Sequence, residues 1–104
     1  MAAGPMKIRA SLGAGFTDVR VLMTHPMETG LRKDADGKLV PQHFIQNLTV
    51  KVNGKTVVDA QISQAVARNP VFSFRLKGGA KGDKIEVSWL DNHGESAAIE
   101  AAVA

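Results

Sequence analysis

Three histidines offer the most chemistry in this chain: His25, His43 and His93, with Met23 and Met27 flanking the first. Imidazole and thioether donors together suit copper, so a copper site using these loop residues is one reading. No two of the histidines have the local spacing of a ligand pair, however, and no acidic partner that would orient them is evident. A lone loop histidine is ordinarily a surface or hydrogen-bonded turn residue. The run Gly78-Gly79-Ala80-Lys81-Gly82 invites a phosphate reading. A phosphate loop needs Gly-x-x-x-x-Gly-Lys-Ser/Thr between a strand and a helix. Here Asp83 stands where the hydroxyl is required, and a strand-like run follows. The serines Ser11, Ser63, Ser73, Ser88 and Ser96 show no nucleophile elbow. No two carboxylates sit in a context that would drive their pKa values apart. Cysteine is absent, so the chain has no thiolate nucleophile, no disulfide and no sulfur-rich metal site of its own. Catalysis by this chain alone is not expected.

The longest connection in the chain runs from His25 to Gln46. It is about three times the median length of a connection in a compact domain, and such connections are functional or disordered. Met27, Leu31, Leu39 and Val40 are apolar anchors that argue against disorder, and Met27, Leu31, Val40 and Phe44 among the neighbouring charges make a mix typical of a protein interface. His25, Met27, Arg32 and Phe44 are therefore the candidate interface residues. The plain alternative is a wide, decorated connection between two strands.

The elements that must position these residues are short strands separated by turn signals. Alternation predicts strands over 6–11, 18–25, 44–52, 56–62, 71–77, 84–89 and 97–103. Asn53-Gly54 is a two-residue hairpin signal, and a tight turn there sets Val50 opposite Val57. Phe72, Phe74 and Leu76 point inward, as do Ile85, Val87 and Trp89. Trp89 reads as a core residue. Leu22 suggests partial burial on the outer side of its strand. One turn of helix is the only helical expectation, around 61–68. Seven alternating strands give an all-β, immunoglobulin-like antiparallel β-sandwich, without the Cys…Trp…Cys signature. At 104 residues the chain makes one domain over 6–104, with 1–5 read as a cloning remnant or a disordered start.

Charge and hydropathy narrow the partners. The formal net charge is +3, and the basic residues are scattered. A nucleic-acid binder would show a basic stripe with stacking aromatics, so no nucleic-acid partner is expected. No apolar run approaches the roughly 18 residues needed to cross a membrane as a helix. No apolar stretch follows a basic start in the manner of a signal peptide. Taken at face value, that implies a cytoplasmic protein.

The loop motif itself is distinctive. His25-Pro26-Met27-Glu28-Thr29-Gly30-Leu31-Arg32-Lys33-Asp34, then Gly37-Lys38-Leu39-Val40-Pro41 and Phe44-Ile45, closely resembles the Z subunits of the Sox sulfur-oxidation carrier. Later pieces agree in order: Asn53-Gly54, Asn69-Pro70-Val71-Phe72-Ser73-Phe74, Gly78-Gly79, Gly82-Asp83, and Trp89-Leu90-Asp91-Asn92-His93-Gly94. The resemblance spans about 7–100. It implies an immunoglobulin-like sandwich, no catalytic activity, no cofactor and no metal. It also implies a heterodimer with a Y subunit, whose C-terminal cysteine carries sulfur intermediates while pathway enzymes act on them in turn. Members of the family lack a signal peptide and reach the periplasm folded with the Y subunit, so the resemblance favours a periplasmic location. Two readings stand beside it: a periplasmic copper-binding sandwich and a free-standing binding module.

Overall fold

The computed structural model describes residues 6–62, 66 and 68–104. The strands are β1 (Lys7–Leu12), β2 (Phe16–Leu22), β3 (Ile45–Val52), β4 (Lys55–Gln61), β5 (Val71–Lys77), β6 (Lys84–Asp91) and β7 (Ser96–Ala102). They form two antiparallel sheets in the orders β1-β2-β5 and β4-β3-β6-β7. This is an immunoglobulin-like sandwich in which the fourth strand pairs with the third, in the second sheet. The expected helical turn falls largely on 63–65 and 67, outside the described residues, as does the segment 1–5.

Each strand forms because its side chains alternate between core and solvent, which a pleated ladder requires. On β6, Ile85, Val87 and Trp89 are at most 2% exposed, while Lys84, Glu86 and Ser88 face away. Val19 and Val21 of β2 face Leu48 and Val50 of β3 across the same core, with Phe72, Phe74 and Leu76 of β5 packed against it. One edge of the sandwich is closed by main-chain hydrogen bonds from Leu12 N to Ala104 O and from Ala104 N to Ala10 O.

Three expectations are corrected. Val50 pairs with Val58, not Val57, because the ladder shifts register between Val50 and Lys51. Lys51 pairs with Thr56, so Val57 is the extra residue of a β-bulge and is 46% exposed. The turn itself is as expected, with Asn53 and Gly54 at φ 50° and 85°. Second, β2 stops at Leu22 rather than His25. Its neighbour β5 begins at Val71, and Pro70 before it has no N–H to extend the ladder. Beyond it, Met23 N to Pro70 O and Asn69 N to His25 O, both at 3.0 Å, carry the pairing toward the loop without a regular ladder. Third, Leu22 is 43% exposed on the outer face of its sheet.

Candidate functional site

The long connection is two structures joined end to end: a buried base and an exposed arm. At the base, Glu28 and His43 exchange both main-chain hydrogen bonds, at 2.6 and 3.0 Å. Beyond it the chain doubles back on itself. Val40 N reaches Arg32 O and Asp34 N reaches Lys38 O, both at 2.8 Å, and Lys33 bridges Leu39. The Asp34 carboxylate closes the tip by accepting from the Asp36 and Lys38 amides at 2.9 and 3.0 Å. Such an Asx turn is why aspartate nucleates tight reversals. Residues 31–39 are exposed throughout.

The base is organised around one carboxylate. Asp91, the last residue of β6, is buried and accepts four hydrogen bonds. Its Oδ2 receives His25 Nε2 at 3.0 Å and His43 Nε2 at 2.7 Å. Its Oδ1 receives the main-chain amides of His93 and Glu95, both at 2.9 Å. Burial alone would raise the Asp91 carboxyl; the bonds from His25, the Glu95 amide, His43 and the His93 amide together outweigh it and hold the group below its usual range. Asp91 is therefore ionised.

The histidine protons follow from these partners. Met27 N–H donates to His25 Nδ1 at 3.1 Å, so Nδ1 carries the lone pair and Nε2 carries the proton given to Asp91. Burial, aided by the charge of His43, lowers the His25 pKa more than Asp91 raises it, in keeping with a neutral ring. The sequence order His25-Pro26-Met27 makes this possible, since the ring folds forward onto the amide two residues on. Met27 adopts φ 47° to do so, and its Sδ accepts from Ile45 N–H at 3.4 Å. Trp89 meets the His25 ring edge-on at 4.9 Å.

His43 and His93 form the outer half of the cluster. Their rings stack at 3.9 Å and within 5° of parallel. His93 Nε2 lies 2.7 Å from Gln42 O; a carbonyl only accepts, so that nitrogen bears the proton. Asn92 completes the join by accepting from Phe44 N at 2.8 Å and donating to Gln42 O at 2.9 Å. The β6–β7 turn is thus sewn to the base of the arm.

Of the four interface candidates, His25 and Met27 are buried at 2% and 5% exposure and hold the base from beneath. Phe44 is half-buried against the core. Arg32 is at the surface and grips Glu28 through a two-pronged contact of 2.8 to 3.1 Å. That bond pulls the Glu28 carboxyl below its usual range and raises Arg32. The exposed apolar groups of the arm are Leu31 and Leu39, at 82% and 60%.

The sequence reading missed Asp91 and Glu95 as acidic partners of the histidines. The signal was present in Asp91-Asn92-His93-Gly94-Glu95, but nothing local says that this turn meets a loop 48 residues earlier. Among the described residues, two groups have the donor types of a metal site: His25, His43 and Asp91, and His43, His93 and Glu95. The first cannot serve as it stands. An ion on His25 Nε2 would force the proton to Nδ1, where it would face the Met27 N–H. Met27 sulfur is engaged with Ile45, so the thioether part of the copper reading finds no support. Among the described residues no hydroxyl is bonded to His43 or His93, so the Asp–His pairs lack the nucleophile of a hydrolytic triad.

Fold and site together define a two-sheet, immunoglobulin-like protein whose most elaborate feature is a projecting arm locked at its root by a buried Asp–His cluster. The chain belongs to the SoxZ family: the family model described as "Sulphur oxidation protein SoxZ" matches residues 6–102, nearly all of the chain. It is therefore a protein of sulfur oxidation by the Sox system. None of the curated proteins matches it. Among solved structures, the crystal structure of a hypothetical protein from Pyrococcus horikoshii OT3 is similar, with a TM-score of 0.68 and 17% identity over 98% of this chain and 89% of that one. That likeness supports the sandwich fold.

Proposed function

We propose that this chain is the non-catalytic subunit of a sulfur-carrier heterodimer in thiosulfate oxidation. In this reading it pairs with the cysteine-bearing Y subunit, stabilises it by mass action, and helps present it to the enzymes of the pathway. The complex works in the periplasm and is exported as a folded pair. The family supplies the pathway, and one structural observation supports the partner role: Leu31 and Leu39 stand 82% and 60% exposed on an arm whose residues 31–39 are all exposed among the described residues. Exposed leucines on a braced projection are what a docking element presents before its partner arrives. Burying two leucines stabilises a complex by about 3–5 kcal/mol as an upper figure, which is about two to four orders of magnitude in Kd.

Co-expression with a Y-type subunit ending in a single cysteine tests the reading. A stable one-to-one complex by light scattering is expected, and the double variant Leu31→Asp/Leu39→Asp is expected to weaken it at least tenfold while the isolated chain stays folded. A chain that remains monomeric beside such a subunit, or a variant that assembles as well as the parent, would refute it.

A further inference from the structure

We propose that His43, His93 and Glu95 form a binding site for a divalent transition-metal ion, of the zinc(II) or copper(II) class, at the root of the arm. A ring nitrogen of each histidine and a Glu95 carboxylate oxygen lie within 4.8 Å of one another. Two imidazoles and a carboxylate are the donor set of many such sites. The inference does not depend on the partner role proposed above.

The ring protons are already arranged for the task. Ligand histidines characteristically donate their other N–H to a carboxylate or a main-chain carbonyl, which fixes the tautomer and raises the basicity of the nitrogen left free. Both outer histidines do this here. His43 gives its Nε2–H to Asp91, and His93 gives its Nε2–H to Gln42 O, each at 2.7 Å. With the proton on Nε2, a neutral imidazole keeps its lone pair on Nδ1. His25 differs, because its second nitrogen already accepts from Met27. The inner histidine is a structural member and the outer two are donors.

Access also fits, and the spacing requires a small movement of one ring. His43 is nearly buried, whereas His93 is exposed on the β6–β7 turn. Zinc–nitrogen bonds of about 2.0–2.1 Å place two ligand nitrogens roughly 3.3 Å apart in a tetrahedral site. Parallel stacked rings do not aim their lone pairs at one point, so capture requires one ring to tilt. His93, held at its Nε2 by a single carbonyl, is the ring placed to do so. Three protein donors leave a coordination position for water. A bound ion would join Glu95 and His93 of the turn to His43 of the arm's base, tightening the same junction that Asn92 bridges.

The test uses the full chain without a histidine tag, stripped with a chelator and titrated with ZnCl2 by calorimetry and with CuCl2 by electron paramagnetic resonance. One ion per chain is expected, with nitrogen hyperfine structure from two imidazoles in the copper spectrum and a Tm that rises with added zinc. His93→Ala and Glu95→Gln are each expected to weaken binding at least tenfold and abolish the rise in Tm. Both sites lie on the turn, and Glu95→Gln keeps the main-chain amide that serves Asp91, so circular dichroism should match the parent. Absence of stoichiometric binding by the folded parent would overturn the proposal. So would binding that the two substitutions leave unchanged.

Discussion

Asp91→Asn is the sharpest perturbation of the buried cluster. The asparagine can turn its carbonyl toward the His93 and Glu95 amides, which sets its NH2 against His25 Nε2 and His43 Nε2. His43 can adapt by moving its proton to Nδ1. His25 cannot, because Nδ1 accepts from Met27 N–H, so two donors face each other in a buried place. The opposite orientation sets the NH2 against two main-chain amides and is worse. One orphaned buried donor costs about 1–3 kcal/mol, and replacing charge-assisted bonds by neutral ones costs about 1 kcal/mol each. Relief from burying a charge offsets part of this. The net expectation is a loss of about 3 kcal/mol, or a fall in Tm of roughly 12–20 °C for a domain of this size. Urea unfolding at pH 7.5 reads it, with Trp89 fluorescence as the probe, since this sole tryptophan packs against His25. A change below about 0.5 kcal/mol, within the range of an ordinary surface substitution, would refute the four-donor account of Asp91.

Other consequences follow from the same geometry. Stability should fall on acidification. His25 has a lowered pKa in the folded state, so the unfolded chain binds more protons below about pH 6.5 and stability is lost there at up to about 1.4 kcal/mol per pH unit; Asp91, also lowered, adds a further loss as pH drops through about 4. Urea midpoints measured from pH 8 to pH 3.5 check the sign, and a profile flat from pH 7 to 5 would contradict a neutral His25. Gly79→Ala should destabilise far more than Gly54→Ala: both have positive φ, but a Cβ at Gly79 would collide with Thr17 Oγ1, whereas one at Gly54 meets nothing within 4 Å. About 1 kcal/mol is expected at Gly54 and about 3 kcal/mol or more at Gly79, read from chemical denaturation; equal costs would contradict the close approach. Trp89→Phe should cost under about 2 kcal/mol, because the indole N–H is buried without a partner among the described residues and its removal offsets lost packing; a loss above 4 kcal/mol would show that the N–H is bonded after all.

The strands were legible because their signal is local. Alternation along β5 and β6 and the Asn53-Gly54 turn depend on neighbours within a few residues, and all stand where the pattern put them. Departures came where a second chain segment decides the outcome. The bulge at Val57 arises in the pairing of β4 with β3, and the early end of β2 is set by Pro70, just before β5 and 48 positions downstream of Leu22. The arm was readable as unusual, through its length and its motif, but the roles of its residues were not. His25 and Met27 look like surface chemistry in a list of residue types, yet they form the floor. Leu31 and Leu39 read as apolar anchors, yet they are the exposed groups. The Asp91 cluster joins residues 25, 43 and 91–95, and no periodicity reports a meeting between the two ends of one loop and a turn.

Hydrogen–deuterium exchange on the full chain, alone and then with a cysteine-tailed Y subunit, addresses the partner role most directly. Amides of the arm over 31–41 should exchange quickly in the free chain and become at least tenfold slower in the complex, while the β6 core is unchanged. An arm that exchanges at the same rate with and without that subunit would contradict the claim that it is the docking element.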